Sequence, residues 1–380
     1  DYGPLGAGLK RNIRDAWWRD VVQCREDVVG LDAAIIMHPR VWEASGHIGG
    51  FADPMVDCRQ CRKRFKADQL CEEQNVQLVK TEQGFSLPAG VKCTGCGSDD
   101  LTEPRAFNLM FKTFVGPVED DSSTAYLRPE TAQGIFAQFA NVLATSRRKI
   151  PFGIAQIGKA FRNEINPRNY TFRSREFEQM ELEFFIKPGT DREWHAYWVD
   201  QRMKWYESIG LPPQALHQHV YPEAELAHYA SACVDINFDF PFGEQELEGI
   251  AARGSFDLSR HQEHSGKSME YFDQEANQKY LPHVVEPSAG VDRIALALIC
   301  SAYREEWIPK GNTAGGPQQA EPGKRPPEGY ESRTVLSFNK RVAPVKAAVF
   351  PLLKNKPELV AKAREVYSLL QRRWPCFWDQ

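Results

Sequence analysis

No run of apolar residues in this sequence approaches the about 18 consecutive positions that a membrane-spanning helix needs, which excludes a helical membrane protein. No signal peptide is visible in the first residues. Asp1-Tyr2-Gly3-Pro4-Leu5-Gly6 holds no Met and reads as the inside of a domain, so the chain is expected to start mid-protein. Charge of one sign is also lacking. The 47 Lys and Arg against 51 Asp and Glu leave a net charge of -4, which excludes a protein that coats nucleic acid by bulk charge. Local basic patches remain, at Arg59, Arg62, Lys63, Arg64 and Lys66 and again at Arg147, Arg148 and Lys149. The nine cysteines are odd in number and scattered over 380 residues, so a secreted disulfide framework is not expected. A reducing, cytoplasmic setting with one metal site is.

What is present is ordinary for a globular chain, with 42% hydrophobic and 26% charged residues and enough length for two or three domains. Leu9, Ile13, Trp17, Val21 and Cys24 recur at helical spacing, and a strand is expected at 28–37, ended by Pro39. Further helices are expected at 131–145, at 191–209 with a cap at Asp191, and at 291–303. Strands are expected at 154–164, 175–186, 234–240, 244–251 and 283–288. Residues 309–329 read as a Pro/Gly-rich surface loop, followed by a strand near 346–353 and a helix at 357–373. The mixture has no regular βαβ rhythm, which predicts an α+β fold with an antiparallel sheet flanked by helices.

The hairpin at 154–186 carries the chemistry. Side chains alternate faces along a strand, so Met180, Leu182, Phe184 and Ile186 can pack on a core while Phe177, Gln179, Glu181 and Glu183 face the other way. Gln156, Arg162 and Glu164 share a face of the first strand. An aromatic among carboxylates, facing an Arg and a Glu, suits a ligand floor: Phe177 can stack on a flat base, Arg162 can clamp a phosphate with two donors, and Glu181 can hold an ammonium. A salt-bridged outer face of a sheet is the competing reading.

Phe161-Arg162-Asn163-Glu164 followed by Arg173-Ser174-Arg175-Glu176-Phe177 resembles motif 2 of the class II aminoacyl-tRNA synthetases. Glu286-Pro287-Ser288-Ala289-Gly290-Val291-Asp292-Arg293 resembles motif 3, and the helix, strand and Pro of 9–39 resemble motif 1. Arg128-Pro129-Glu130-Thr131-Ala132-Gln133-Gly134 and the opening Asp-Tyr-Gly-Pro-Leu-Gly narrow the resemblance to the glycine-specific, homodimeric branch. The Gly-x-Gly-x-x-Gly phosphate signature is absent, in keeping with a class that has no Rossmann fold. Under this resemblance the chain divides into a catalytic core at 1–54 and 105–308, a Cys-rich insertion at 55–104, a connection at 309–343 and an incomplete α/β anticodon-binding domain at 344–380.

The resemblance implies ATP-dependent activation of glycine and transfer of the glycyl group to the 3′ end of tRNA(Gly) by a homodimer. It implies that Arg162 grips the α-phosphate and the glycine carboxylate, that Glu164 and Arg173 contact the nucleotide, and that Phe177 stacks on adenine. Arg293, at a helix start, would meet the terminal phosphate, and Glu246 would hold Mg²⁺. Glycine would be recognised by Glu130, Glu181, Glu286 and Ser288, whose bulk leaves no room for a larger side chain, so no editing domain is expected. The reaction needs positioning and charge stabilisation rather than a nucleophilic side chain. His261 and His264 near Asp257 are therefore expected to cap and pack a helix. Asp292 departs from the Glu often found in motif 3, and Arg253-Gly254-Ser255 lacks an acid that related members show nearby.

Cys58-Arg59-Gln60-Cys61 and Cys93-Thr94-Gly95-Cys96 form two knuckles whose four thiolates suit a tetrahedral Zn²⁺ site. The basic residues beside the first suggest contact with the tRNA acceptor stem. Cys71 lies between the pairs and complicates the assignment, and Cys24, Cys233, Cys300 and Cys376 are expected to be buried. Two other readings are a synthetase for threonine, proline or serine, and a non-catalytic nucleic-acid-binding relative. The first lacks the pairing of the 128–134 and 286–290 segments, and the second would have lost Arg162 and Arg293.

Overall fold

The structure, a computed structural model, describes all residues except 82–83, 228–229, 312–314, 322 and 380. Its centre is a seven-stranded sheet built from β1 (Val28–Gly30), β2 (Phe152–Phe161), β3 (Glu176–Ile186), β4 (Leu216–Val220), β5 (Ala232–Phe240), β6 (Gly243–Gly254) and β7 (His283–Gly290). The strand order is β1-β2-β3-β7-β6-β5-β4. Within this sheet the β1–β2 edge pair is parallel, and every other pair is antiparallel.

Five helices surround the sheet: α1 (Pro4–Trp18), α2 (Ala132–Ser146), α3 (Asp191–Ile209), α4 (Phe256–Ser265) and α5 (Val291–Ala302). Pro4 stands in the first turn of α1, where its missing N–H costs nothing. Leu9, Ile13, Ala16 and Trp17 then bury one face of that helix. With α3 and α5 they cover one side of the sheet, meeting Met180, Leu182, Phe184 and Ile186 of β3 and Val234, Ile236, Phe238 and Phe240 of β5. Burial of each such side chain contributes about 1.5–3 kcal/mol before the entropy of ordering it is charged. On the other side, α2 and α4 pack Ile135, Phe136, Phe139 and Leu258 against Phe152, Ile154 and Phe185. The remainder of that side stays open and is where the candidate site lies.

Strand β6 contains one irregularity that matters. Ile236 pairs with Glu248 and Asn237 with Glu246, so Leu247 is an extra residue, a β-bulge. Glu246, Gly249, Ala251 and Arg253 consequently reach the open side. Glu248, two residues after Glu246, turns to the covered side, where its Oε1 accepts from Arg202 Nε of α3 at 2.7 Å with both side chains almost fully buried.

The expected elements are present, with several corrections. Helix α1 begins at Pro4 and passes into a π-helical turn at Arg19–Gln23. The strand expected at 28–37 is two separate strands, because Ile36–Met37 pairs with Thr124–Leu127 rather than with the main sheet. Pro39 opens a short helix, Pro39–Ala44, instead of ending a strand. Thr190, not Asp191, is the residue before α3. Asp191 is its first helical residue, accepts from the Gly189 N–H and contacts His283. The region around the expected loop at 309–329 contributes a three-stranded sheet of Tyr303–Pro309, Gln318–Gln319 and Tyr330–Leu336, while residues 312–314 and 322 of it lie outside the described residues. The last segment pairs Ala347–Val349 in parallel with Cys376–Trp378 through the helix Pro357–Leu370. Of the cysteines expected to be buried, Cys24 is exposed and Cys233, Cys300 and Cys376 are half-buried. Apolar neighbours are a poor guide to facing: on β5 the even-numbered residues enter the core, so Cys233 turns to the cavity.

Candidate active site

The open side of the sheet holds a cavity of about 390 Å³ whose floor is β3, β7 and β6. The structure brings all ten residues singled out for nucleotide, glycine and Mg²⁺ together around it: Glu130, Arg162, Glu164, Arg173, Phe177, Glu181, Glu246, Glu286, Ser288 and Arg293. They come from separate stretches of chain, and the antiparallel register of β3, β7 and β6 aligns the central ones. Glu181 lies opposite Ser288, and Ser288 opposite Gly249.

One half of the cavity is cationic and aromatic. Arg162 follows the end of β2, where its Nε donates to the Pro129 carbonyl at 3.0 Å and its guanidinium lies 5.3 Å from the Phe177 ring and 5.4 Å from that of Phe51. Arg173 donates through two nitrogens to Glu164, at 2.9 and 3.3 Å, and the Arg175 Nε adds a 2.8 Å bond to the Glu164 carbonyl. Arg293, in the first turn of α5, stacks 4.4 Å over Phe172 and meets Glu246 at 3.0 Å. A guanidinium held near a ring by cation–π attraction still has donors to offer an anion.

The other half is acidic. Glu181 is buried, and its carboxylate accepts from the Ser288 hydroxyl at 2.7 Å, from Gln179 Nε2 at 3.2 Å and from the Thr131 hydroxyl. Glu286 is held by Arg253 Nη1, which donates to its two oxygens at 3.2 and 2.9 Å, while Arg253 Nε and Nη2 donate to Asp257 at 2.8 and 3.0 Å. Gln133 Nε2 joins Glu130 and Asp257, both at 3.0 Å, and His47 approaches Glu130 at 3.5 Å. Burial works against every charge here. It pushes Glu181 up, with Glu130 adding to the rise and the hydroxyls opposing it. It pushes Glu286 up to about 8 against the pull of Arg253. Glu130 goes the other way: burial is outweighed by His47, Arg253 and Gln133, which hold its carboxyl well below the usual range. A pocket of carboxylates whose buried cation is already shared can hold a group of positive charge.

Several members of this site do not stand out in the sequence. Arg253 draws notice there only for the acid missing beside it, yet it is the central cation; Asp257 is four residues on, but the two meet across the junction of β6 and α4 rather than along one helix. Arg128 is buried and crosses β2 to donate to the carbonyls of Ala33 and Lys159 at 2.8 and 2.7 Å. A Cβ on Gly158 would stand 2.2 Å from its guanidinium, which is why that strand position has no side chain. Asp292 does not pair with Arg293. It accepts from Tyr2, Lys10 and the Glu178 N–H, at 2.8, 2.7 and 2.9 Å, and so pins the N-terminal segment to β3. His261 bonds Gln133 and His264 bonds the Arg260 carbonyl, so both serve helix packing.

In the Cys-rich region, Ala52–Asp57 pairs with Arg64–Lys66 and Arg105–Asn108 over a small core of Val56, Ala67, Leu70, Cys71 and Val91. Cys58, Cys61, Cys93 and Cys96 converge with all four sulfurs within 4.8 Å of one another, and Cys71 belongs to the core instead. The basic patch beside the first knuckle is largely neutralised: Lys66 meets Asp53 at 2.8 Å, Arg64 meets Asp57 at 2.6 Å, and Arg59 reaches Asp100 at 3.5 Å. In the second patch Lys149 pairs with Glu275 at 2.8 Å.

Residues 114–303 match the class II core domain of tRNA synthetases for G, H, P, S and T. The chain is 49% identical over 383 residues to a glycine–tRNA ligase of Thermobifida fusca, a match that covers 100% of this chain and 79% of that protein. It is 48% identical over 384 residues to the corresponding enzyme of Cutibacterium acnes, covering 100% and 78%. Against that of Bacillus cereus it is 46% identical over 390 residues, covering 100% and 80%.

Proposed function

The chain belongs to the glycine–tRNA ligase family and is built on its class II core, and from that premise we propose how its residues divide the work. Its activity is the ATP-dependent activation of glycine and the transfer of the glycyl group to tRNA(Gly). The observation that carries the division is that one sheet face joins a cationic, aromatic half to a closed acidic half, with Arg162 between Phe177 and the segment that bears Glu130.

ATP lies over the cationic half. Phe177 offers its face to the adenine, Glu164 and Arg173 flank the base and the bent phosphate chain, and Arg293 takes the terminal phosphate. Glycine enters the acidic half. Its ammonium meets Glu181, Glu286 and Glu130, and the Ser288 hydroxyl holds Glu181 in place for it. Its carboxylate turns toward Arg162, which grips it beside the α-phosphate. One carboxylate oxygen attacks the α-phosphorus, and pyrophosphate leaves as that P–O bond breaks. Arg162 bears the charge that grows on the phosphorus oxygens. A ribose hydroxyl at the tRNA end then attacks the adenylate carbonyl, and AMP leaves.

Glu246 is the hard oxygen donor best placed for Mg²⁺, since its carboxylate is almost half exposed at the cavity and lies on the same sheet face as Asp235. Bound there, the ion would neutralise phosphate charge. The four thiols fit Zn²⁺ by donor type and spacing, and we assign the ion a structural role in ordering the 55–104 module, which would reach toward the acceptor stem. The chain divides into the parts read from the sequence, with the Cys-rich module taking in the whole of its small sheet, Ala52–Asp57, Arg64–Lys66 and Arg105–Asn108, and the connection starting after Tyr303–Pro309. The motif 1 segment with α1 forms the contact of a homodimer. Native mass spectrometry is expected to give twice the chain mass with two zinc ions. A monomer would remove the dimer assignment, and a metal-free Cys58→Ser variant that keeps the fold and activity of the parent would remove the structural role.

The site reading is tested by ATP–pyrophosphate exchange with glycine, alanine, serine, threonine and proline. Exchange with glycine is expected to exceed that with alanine by more than the about 10–200-fold that one methylene supplies in a permissive pocket, because the acids close the space sterically. Comparable exchange with alanine would refute the assignment of Glu130, Glu181, Glu286 and Ser288. No helix among the described residues is long and apolar enough to cross a membrane.

A further inference from the structure

One acid beneath the pocket has no role in that division of labour. Glu183 is fully buried on the site face of β3, and neither carboxylate oxygen has a hydrogen-bond partner among the described residues. Its position is fixed by register: Glu181 lies across from Ser288 and Phe184 from Val285, so Glu183 stands across from Glu286. On its other flank is Ile154 of β2, which offers no charge. The charged groups that face it are Glu181 on its own strand, Glu286 on β7, Arg253 on β6 and Asp257 on α4. Arg253 commits Nε, Nη1 and Nη2 to Asp257 and Glu286. From α2 and α4, Gln133 and His261 bond one another.

We propose that Glu183 is a positioning residue that holds a proton beneath the glycine subsite, filling the floor as a neutral acid so that the negative charge an arriving ammonium draws out falls on Glu181 and Glu286. This deepens the functional assignment above and rests on it. An ionised carboxylate without partners in such a place is among the most costly groups a protein can bury, and an unpaired acid there takes up a proton instead. Like charges directly opposite on paired strands also repel. Burial first and Glu286 second drive the Glu183 carboxyl well above its usual range, which agrees with the geometry. Glu286 has the guanidinium and Glu183 does not, so when only one of the two is ionised, the charge belongs to Glu286. The neutral acid then acts as a spacer: it keeps the β3 floor filled and Glu286 turned toward Arg253 and the cavity.

The proton also leaves a mark on stability. In the unfolded chain Glu183 ionises in the ordinary carboxylate range, whereas the folded chain keeps the proton. Stability is therefore full below that range and is lost as pH rises toward the folded-state value. Glutamine has the same shape and cannot ionise. The difference in unfolding temperature between Glu183→Gln and the parent is expected to grow in favour of the variant from about pH 5 to about pH 8.5.

The experiment combines that pH series with glycine and ATP KM values from the exchange assay. Glu183→Gln is expected to keep the glycine KM within about 3-fold of the parent. Glu183→Ala, which empties the floor, is expected to raise it by about 10- to 100-fold with little change for ATP. A glycine KM raised as much by Gln as by Ala would overturn the proposal, because the charge and not the shape would then be needed. So would a temperature difference that stays constant with pH. Glu181→Gln separates the two levels: an unchanged glycine KM in that variant refutes the subsite itself. A raised KM there, together with a Glu183→Gln variant that behaves like Glu183→Ala, refutes only the role of Glu183.

Discussion

Arg162→Ala is expected to lower glycine-dependent ATP–pyrophosphate exchange by about 10²–10³-fold, the loss that attends removal of one donor aimed at developing charge in a dry site. The expectation rests on where the residue stands. Its Nε is spent on the Pro129 carbonyl, which fixes the stem, and its guanidinium lies within 5.4 Å of both the Phe177 and Phe51 rings. On the proposed division of labour the remaining donors serve the junction of the two halves, where the α-phosphate and the glycine carboxylate would meet. Arg162→Lys should recover little, because an ammonium cannot present two parallel donors or stack flat on a ring. The fold should survive, since the side chain is only half-buried and belongs to none of the hydrophobic cores. Exchange in Arg162→Ala within a few-fold of the parent, with glycine still bound, would take this residue out of the chemistry.

Arg253→Met is expected to do something different, costing stability and glycine binding together. Arg253 is buried and joins Glu286 to Asp257 through four hydrogen bonds between 2.8 and 3.2 Å. Taking one partner from a buried ion pair leaves the other uncompensated, at about 3–5 kcal/mol. Here two acids are left, and part of the cost is relieved when they take up protons. Glu286, already pushed up by burial, loses the guanidinium that pulls it down, so the deficit grows as pH rises above the ordinary carboxylate range. Urea midpoints at low and high pH measure this directly. Adding Asp257→Asn and Glu286→Gln should return stability without returning glycine binding. A single variant as stable as the parent at high pH would show that the acids are not charged in the folded chain.

Much of this is legible in the sequence, for physical reasons that differ from element to element. The face of β3 is readable because alternation sets Met180, Leu182, Phe184 and Ile186 against three polar residues, Gln179, Glu181 and Glu183, as a strand requires when its sheet is covered on one side and holds a cavity on the other. The helix at 191–209 is readable from its aromatic spacing and from Gly210 after it, which adopts φ +106°. The ten site residues can be named because their motifs are local, although it takes the register of three strands to bring them together. Arg253 escapes notice because little in its own segment marks a cation whose partners arrive from β7 and α4. Cys233 is misread because an apolar neighbourhood does not state the phase of a strand. The basic patch at 59–66 reads as an open anion surface, yet its acids come from positions 53, 57 and 100 and become visible only once the small sheet is formed.

The extra residue at Leu247 has a consequence for chain length. Because it is the residue of β6 skipped in the pairing with β5, a deletion there would leave Glu246 on one side of the sheet and Glu248 on the other, and would relax only the local bend. A deletion at Gly249 or Ala251 would invert the rest of the strand: Arg253 would be driven among the apolar side chains under α3, and Glu286 would lose its cation. Two neighbouring positions of one strand should thus differ sharply in their tolerance of a lost codon, the permissive one lying beside the carboxylate assigned to the metal.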